Sequence, residues 1–290
     1  MTVPIREVYS LRFLLQTMVA TSRENGWDRP FPRMRRAIAA VDVIVLEEVA
    51  QRRSADDLDR DDVLGIFLRT CDDDGAAMRD AELCDAMRTL LLGGHDTTAS
   101  TLTWLLERIT RHPDVLQRAE AAAFDGDDDY LDAVIKEAMR LRPVAPMTCR
   151  LATQDFELPG LTIPAGTMVV PYITLVHRRP DTWENPLEFR PERFLNKVNT
   201  YAWIPFGGGR RRCLGAAFSL IEARVVLRTI LRNSSLAPNS RRSERIARSN
   251  VLLVPGRGGS GRLNPHSAAA GCTQHPRQAV GRRAGSTARY

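Results

Sequence analysis

Apolar side chains recur at helical spacing through most of the first 141 residues. Residues 1–55 carry two such stripes, Leu11–Val19 and Ile38–Val49, and the longest run of the chain ends where His112-Pro113 interrupts it. Aspartates stand at the start of two further stretches, where their carboxylates can cap a helix. The pattern therefore predicts helices within residues 1–55 and over residues 63–68, 80–111 and 130–141.

The pattern changes after residue 148. Between residues 148 and 175, short apolar runs are interrupted by Pro159-Gly160 and by Pro164-Ala165-Gly166, which indicates short strands and hairpins. A Pro-rich irregular segment follows, and the last periodic stretches predict a helix over 214–231 and an edge strand over 251–254. The predicted fold class is mainly α with a small β region (α+β).

The composition is that of an ordinary globular protein, since 43% of the 290 residues are hydrophobic and 26% are charged. The five cysteines have no paired spacing, which argues against a disulfide framework or a zinc ribbon and favours a reducing compartment. No run approaches the ~20 apolar residues that span a bilayer, and the N-terminus has no secretory signal pattern. The sequence therefore predicts a cytoplasmic protein.

The net charge of +6 comes from the C-terminus. Residues 256–290 contain six arginines and no acidic residue, and the rest of the chain is balanced. This tail is rich in Arg, Gly and Ala and has little apolar periodicity, so we expect it to be disordered and expect no specific nucleic-acid binding. The predicted division is a folded part, residues 1–255, and a tail, residues 256–290.

Residues 206–215 form a glycine-rich turn that delivers one cysteine to the start of a helix. Glycines permit positive φ and a close approach of the backbone to a flat ligand. Cys213 lies at the predicted helix N-terminus, where partial positive charge favours a thiolate. A lone thiolate suits one axial position of a haem iron. The alternative is a buried, inert structural cysteine, which is the usual state of a free cysteine.

The spacing Phe-x-x-Gly-x-Arg-x-Cys-x-Gly resembles the haem-binding loop of the cytochromes P-450. It is met by Phe206, Gly209, Arg211, Cys213 and Gly215. The resemblance implies haem (iron protoporphyrin IX) as the cofactor, with Cys213 as the iron ligand and Arg211 against a haem propionate. Family members of similar pattern place a further arginine, here Arg150, against a propionate. The alternative for either arginine is an exposed side chain.

The predicted helix over 80–111 contains Gly93-Gly94-His95-Asp96-Thr97-Thr98. Two glycines inside a helix cost about 1 kcal/mol each relative to alanine, so we expect an offsetting benefit, such as room for a ligand against the backbone. Thr97 can donate to a carbonyl one turn back and locally open the helix. The stretch resembles the oxygen-binding groove of the same family, which implies that Asp96 and Thr97 relay protons to dioxygen. The alternative is a helix–helix crossing in which the glycines permit close approach.

Glu137 and Arg140 lie three residues apart on one helix face, where most such pairs are solvated. Together with Arg193 in the later Pro191-Glu192-Arg193-Phe194, they resemble the buried Glu–Arg–Arg network of the family. The resemblance implies a carboxylate between two bidentate guanidinium groups, which pins a loop to a helix. The role of this network would be to hold the Cys213 loop, without taking part in catalysis.

The resemblance extends from about residue 1 to residue 255 and implies a haem-thiolate monooxygenase. Such an enzyme inserts one oxygen atom from O2 into a small apolar organic substrate, with electrons from NAD(P)H through a ferredoxin or a flavoprotein reductase. Arg210 and Arg212 either attract an acidic electron-transfer partner or are merely solvated. Because the chain resembles the C-terminal portion of the family, with an N-terminal section missing, the alternative is a truncated, non-enzymatic relic that cannot hold haem.

Overall fold

The computed structural model describes residues 32–249 and 251–266. The α-helices in these ranges are α1 (Pro32–Ser54), α2 (Val63–Arg69), α3 (Asp80–Ile109), α4 (Pro113–Asp125), α5 (Asp128–Leu141), α6 (Ile173–Val176) and α7 (Ala216–Asn233), and short 3-10 helices form at Pro191–Phe194 and Gly209–Arg211. The strands are β1 (Arg150–Leu151), β2 (Phe156–Leu158), β3 (Leu161–Ile163), β4 (Met168–Val169), β5 (Ser234–Pro238), β6 (Ile246–Ser249), β7 (Leu252–Pro255) and β8 (Gly261–Pro265). The predicted fold class is confirmed. None of the described helices is both long and apolar enough to cross a membrane.

Aspartate caps begin two of the predicted helices. The carboxylate of Asp62 accepts a hydrogen bond from the backbone N–H of Gly65 at 2.8 Å, at the start of α2. The carboxylate of Asp127 accepts one from the backbone N–H of Tyr130 at 3.1 Å, at the start of α5. Each contact satisfies an N–H group that has no partner within its helix. The helix starts thus follow from short-range chemistry that is visible in the sequence.

The main core lies where α5 meets α3, α4 and α7. Ten of the 14 residues of α5 are buried, so this helix is surrounded on nearly all sides. The side chains that pack together here include Leu105, Leu131, Ile135, Ala223, Leu227 and Leu231. The core therefore holds α5, which carries Glu137 and Arg140, between α3 and α7. α3 contains the Gly93–Thr98 motif, and α7 follows Cys213.

A smaller core joins α1 and α2 to the first turns of α3. Its buried members are Val45, Val49, Leu64, Leu83 and Cys84. α1 contains the second of the two predicted N-terminal stripes, and its apolar face is what this core buries. The first stripe, Leu11–Val19, lies outside the described residues.

The strands in the described ranges form four antiparallel pairs, in which β1 pairs with β4, β2 with β3, β5 with β8, and β6 with β7. Pro159-Gly160 joins β2 to β3 in a hairpin that places Phe156 opposite Ile163. Gly160 has a φ of +78°, which explains why a glycine stands at this turn. The predicted strands and hairpins over 148–175 are therefore confirmed, as is the predicted strand near 251–254.

Helix α4 has no counterpart among the predicted elements. Pro113 marks the end of α3, but it also occupies the first turn of α4, where its missing N–H has no cost. Gly126, with a φ of +82°, ends α4. In the sequence, Pro113 predicts only the end of a helix, and the helix that begins at the same residue was therefore not predicted.

The tail beginning at residue 256 is not disordered throughout. Gly261–Pro265 forms β8, which pairs with β5 over five residues. The prediction of disorder is wrong for this segment, because the backbone of β5 supplies hydrogen-bond partners that do not depend on the side chains of the tail. Residues 267–290 lie outside the described part of the chain.

Candidate functional site

The cysteine loop, residues 206–215, is held in shape by its own backbone. The N–H of Cys213 donates to the carbonyl of Phe206 at 2.9 Å, and the N–H of Gly207 donates to the carbonyl of Ile204 at 2.9 Å. Gly207 and Gly209 adopt φ values of +69° and +68°, which residues with a Cβ disfavour. These bonds close the loop and place Cys213 three residues before Ala216, the first residue of α7, whereas the sequence predicts a helix start at residue 214.

The thiol of Cys213 is free and exposed. A structural cysteine packs inside a core, so this exposure contradicts that alternative. Within the residues that the structure describes, no three His, Cys, Asp or Glu side chains are grouped so that they could hold a metal ion. The donor set at the loop is therefore a single sulfur, which fits the one axial thiolate of a haem and does not fit a tetrahedral zinc site.

Gly93 and Gly94 lie in the middle of α3, and both are exposed. A Cβ built on either glycine meets no described atom within 4 Å. A helix–helix crossing would bring neighbouring atoms to this position, so that alternative fails for the described part of the chain. The bare backbone instead leaves room for a flat ligand.

Thr97 bonds backward along α3, as predicted, because its Oγ1 donates to the carbonyl of Gly93 at 2.6 Å. The helix is nevertheless continuous from Asp80 to Ile109, so the expected local opening is absent. The side chain of the neighbouring Asp96 is 34% exposed, and its Oδ1 lies 2.8 Å from Nδ1 of His95. The acid and the alcohol are thus adjacent on a helix turn that remains open to solvent.

The two motifs sit on helices that share the main core. α3 and α7 are in contact, and both contribute buried side chains to this core, among them Ile109 and Leu227. Among the described residues, no hydrogen bond or ion pair joins residues 93–97 to the cysteine loop. The fold therefore brings the helices together while the motifs themselves make no direct polar contact.

Arg150 and Arg211 are both exposed. Nη1 of Arg150 donates to the carbonyl of the adjacent Cys149 at 2.8 Å, and neither arginine forms an ion pair with a described carboxylate. A methyl carbon of Thr148 lies 3.6 Å from the position that a Cβ on Gly207 would take, so the cysteine loop passes beside the residues before β1. Both guanidinium groups are therefore available to an anionic group near the loop.

Glu137 and Arg140 form an ion pair in which both side chains are 0% exposed, so the pair is not a solvated one. Nε and Nη2 of Arg140 donate to the two carboxylate oxygens of Glu137 at 2.7 and 2.8 Å, a bidentate arrangement. The remaining N–H groups donate to the carbonyls of His177 at 2.8 Å, Pro186 at 2.7 Å and Glu188 at 3.0 Å. Every N–H of the guanidinium therefore has an acceptor.

Arg193 approaches Glu137 but makes no second bidentate pair. Its Nε lies 3.5 Å from Oε1 of Glu137 without forming a hydrogen bond, and its Nη2 donates to the carbonyl of Asn185 at 3.0 Å. Oε1 of Glu137 instead accepts from the backbone N–H of Arg190 at 2.9 Å. The prediction of two bidentate guanidinium groups is therefore wrong for Arg193. The backbone N–H of Arg190, and not the Arg193 guanidinium, is the second donor to the Glu137 carboxylate.

His177 belongs to the same network, although no feature of the sequence points to it. The side chain is 0% exposed and follows α6. Its Nε2 accepts from the backbone N–H of Ile204 at 2.9 Å, and its Nδ1 lies 3.2 Å from the carbonyl oxygen of Arg140. Burial lowers the pKa of His177 to about 4, so the imidazole is neutral near pH 7. A single histidine in an irregular segment has no periodicity or spacing that could have revealed it.

Known proteins that resemble this chain are cytochromes P450. The cytochrome P450 family model matches residues 26–259. The chain is 42% identical over 262 residues to cytochrome P450 135B1 of Mycobacterium bovis, a match that covers 88% of this chain and 56% of that protein. It is 42% identical over 245 residues to cytochrome P450 137 of Mycobacterium tuberculosis, which covers 84% of this chain and 52% of that protein. The chain thus spans about half the length of these relatives.

Proposed function

This chain belongs to the cytochrome P450 family, and on that basis we propose that the protein is a haem-thiolate monooxygenase. It inserts one oxygen atom from O2 into a small apolar organic substrate. The observation that carries the proposal is the free, exposed thiol of Cys213 at the end of a closed glycine loop. The comparisons give no support to the alternative of a non-enzymatic relic.

We assign haem binding to residues from three parts of the chain. Cys213 would hold the iron through its thiolate. Arg150 and Arg211, which have no described carboxylate partner, neutralise the propionates. The bare backbone at Gly93 and Gly94 lets the ring lie against α3. When it is bound, haem with a thiolate ligand supplies the electron density that favours cleavage of the O–O bond.

Asp96 and Thr97 move protons in this proposal. The hydroxyl hydrogen of Thr97 is directed at the carbonyl of Gly93, so the lone pairs of its oxygen are left to accept a hydrogen bond from a proton donor in the groove. Asp96 is 34% exposed and exchanges protons with water directly or through His95, whose Nδ1 is 2.8 Å away. Together the two side chains connect the groove to solvent.

Electrons come from NAD(P)H through a ferredoxin or a flavoprotein reductase. Arg210 and Arg212 are exposed on the cysteine loop. An acidic partner that docks on these arginines would lie beside the loop that carries Cys213, and charge complementarity would raise the rate of the encounter. A cytoplasmic location is proposed from the unpaired cysteines.

Carbon monoxide binding to the reduced, haem-reconstituted full chain tests the proposal. We expect a red-shifted Soret band typical of thiolate ligation. Cys213→Ala should abolish this band, because it removes the axial sulfur. Cys71→Ala is the matched control, since Cys71 is also free and exposed, and it should retain the band. His95→Ala should retain it as well.

Two results would contradict the assignment. A soluble, folded wild-type chain that gives no red-shifted band would favour the relic. A red-shifted band that persists in Cys213→Ala would mean that a different sulfur binds the iron.

A further inference from the structure

We propose that His177 is a positioning residue for the cysteine loop and acts through the backbone N–H of Ile204. Through this contact, the buried Glu137–Arg140 pair orients the segment of chain that enters the loop. The inference rests on the proposed function only because the loop is taken to bind haem. The hydrogen bonds themselves can be tested without haem.

Both ring nitrogens of His177 are in use. An amide N–H can only donate, so Nε2, which lies 2.9 Å from the nitrogen of Ile204, must be the acceptor and carries no proton. A carbonyl can only accept, so Nδ1 donates its proton to the carbonyl of Arg140 at 3.2 Å. The two partners therefore fix one neutral tautomer and one ring orientation.

The contact with Ile204 continues into the cysteine loop. While the N–H of Ile204 donates to His177, its carbonyl accepts from the N–H of Gly207 at 2.9 Å. The next carbonyl in the loop to accept is that of Phe206, which receives the N–H of Cys213 at 2.9 Å. A short series of hydrogen bonds thus leads from the imidazole to the backbone of the cysteine.

On its other side, His177 is tied to Arg140 twice. Nη1 of Arg140 donates to the carbonyl of His177 at 2.8 Å, while the carbonyl of Arg140 accepts from Nδ1 of His177. The guanidinium is in turn held by both carboxylate oxygens of Glu137. The ring orientation therefore follows the position of the buried ion pair.

Arg193 does not provide this connection. Its hydrogen bond goes to the carbonyl of Asn185, which is not part of the cysteine loop, and its Nε makes none. Nε1 of Trp203 donates to the carbonyl of Lys136 at 3.1 Å and also ties this segment to α5. A second polar route, from Glu137 to Ile204, runs through Arg140 and His177. A protonated imidazole would break this route, because a second N–H would face the N–H of Ile204. Burial and the charges of Arg140 and Arg178 keep the ring neutral.

Two substitutions separate the roles of the two ring nitrogens. The amide of asparagine reaches the position of Nδ1 but not that of Nε2, so His177→Asn keeps a donor for Arg140 and removes the acceptor for Ile204. The amide of glutamine reaches the position of Nε2, so His177→Gln keeps an acceptor for Ile204. Residue-resolved amide hydrogen exchange in the haem-free full chain then reports on Ile204 and Cys213 directly.

We expect His177→Asn to accelerate exchange at Ile204 about tenfold, the size expected for the loss of one buried hydrogen bond, and to accelerate exchange at Cys213 in the same direction. His177→Gln should restore protection at both amides. In reconstituted protein, His177→Asn should lower the fraction of the red-shifted Soret band, and His177→Gln should recover it.

His112→Gln is the matched control. Nδ1 of His112 also faces a backbone carbonyl, that of Arg108 at 2.7 Å, and its ring packs on Phe189 with the ring centroids 4.8 Å apart. This substitution perturbs a partly buried histidine in another part of the core. Exchange at Ile204 should therefore stay at the wild-type rate.

The outcomes separate this inference from the proposed function. If His177→Asn folds and both amides exchange at wild-type rates, His177 does not position the loop. If His177→Asn does not fold, His177→Gln decides: retained protection at Ile204 supports the inference, and lost protection overturns it. If the wild-type chain gives no red-shifted band, the haem proposal fails, and the exchange rates still decide the role of His177.

Discussion

Replacing Arg140 with lysine keeps the positive charge beside Glu137 but removes the planar fork of donors. The guanidinium directs two hydrogen bonds to the carboxylate of Glu137 and three to backbone carbonyls between His177 and Glu188. A lysine ammonium has three N–H groups at a single nitrogen, so it cannot reach acceptors that surround a guanidinium. At least two of the five hydrogen bonds are then lost.

The expected loss follows from that count. A hydrogen bond to a charged group contributes about 1.5–3 kcal/mol to stability, so two missing bonds lower the free energy of unfolding by about 3–6 kcal/mol. A domain is typically stable by about 5–15 kcal/mol, which puts Arg140→Lys close to the limit of folding. The retained charge does not prevent this loss, because the geometry of the donors is what changes.

Urea unfolding followed by tryptophan fluorescence and circular dichroism measures the effect. The ring of Trp183 lies 5.0 Å from the guanidinium carbon of Arg140 and so reports on the site itself. Arg60→Lys is the matched control, because Arg60 also follows its carboxylate, Asp57, by three residues at 2.6 Å, but the Arg60 side chain is 49% exposed. The control should change the free energy of unfolding by less than about 1 kcal/mol. An equally small change in Arg140→Lys would refute the argument that the full set of donors, rather than the charge, holds the segment.

Three further predictions follow from single residues. Because burial lowers the pKa of His177 from 6.5 to about 4, the unfolded chain binds a proton that the folded chain does not, so stability falls by about 3 kcal/mol as the pH drops from 6.5 to 4. Urea unfolding across that range checks this, and His177→Gln should remove that part of the slope. Gly94→Ala should stabilise the haem-free chain by about 1 kcal/mol, since the added methyl meets no described atom within 4 Å, and should weaken haem binding. The melting temperature of the haem-free variant should therefore rise while its affinity for haem falls. A rise in both would contradict the proposal that haem lies against the backbone at Gly94. Asp127→Ala should lower the stability measured by thermal melting by about 1 kcal/mol, because the backbone N–H of Tyr130 loses its capping acceptor. Asp127→Asn should keep most of this stability, because asparagine is also a good N-cap residue.

Features that depend on neighbours within one helical turn could be predicted from the sequence. The cap from Asp62 to Gly65 and the bond from Thr97 to Gly93 each join residues three or four positions apart, where helix geometry decides the partner. The same spacing rule brings Glu137 and Arg140 together. Its limit is visible at Thr97, because α3 is continuous from Asp80 to Ile109 although the hydroxyl bonds to the carbonyl of Gly93.

Features that depend on distant partners could not be predicted in this way. Gly261–Pro265 has the composition of a solvated tail, yet it forms β8 because β5 offers a free edge. α4 was hidden for a related reason, since the effect of Pro113 depends on which side of it a helix can bury an apolar face. In both cases the deciding interaction lies outside the local stretch of sequence.

The Glu137–Arg140 pair shows why a motif can be recognised while its connections remain hidden. Two of the five acceptors of Arg140 belong to a side chain three residues away, and their identity is visible in the sequence. The other three are carbonyls, which every residue possesses, so their recruitment depends on the path of the backbone through residues 177–188 and not on residue type. His177 makes both kinds of contact with Arg140. Its backbone carbonyl accepts from the Arg140 guanidinium, and its ring Nδ1 donates to the Arg140 carbonyl. Only the ring contacts require a histidine, and the other ring nitrogen, Nε2, is the one that accepts from the N–H of Ile204 in the segment that enters the cysteine loop.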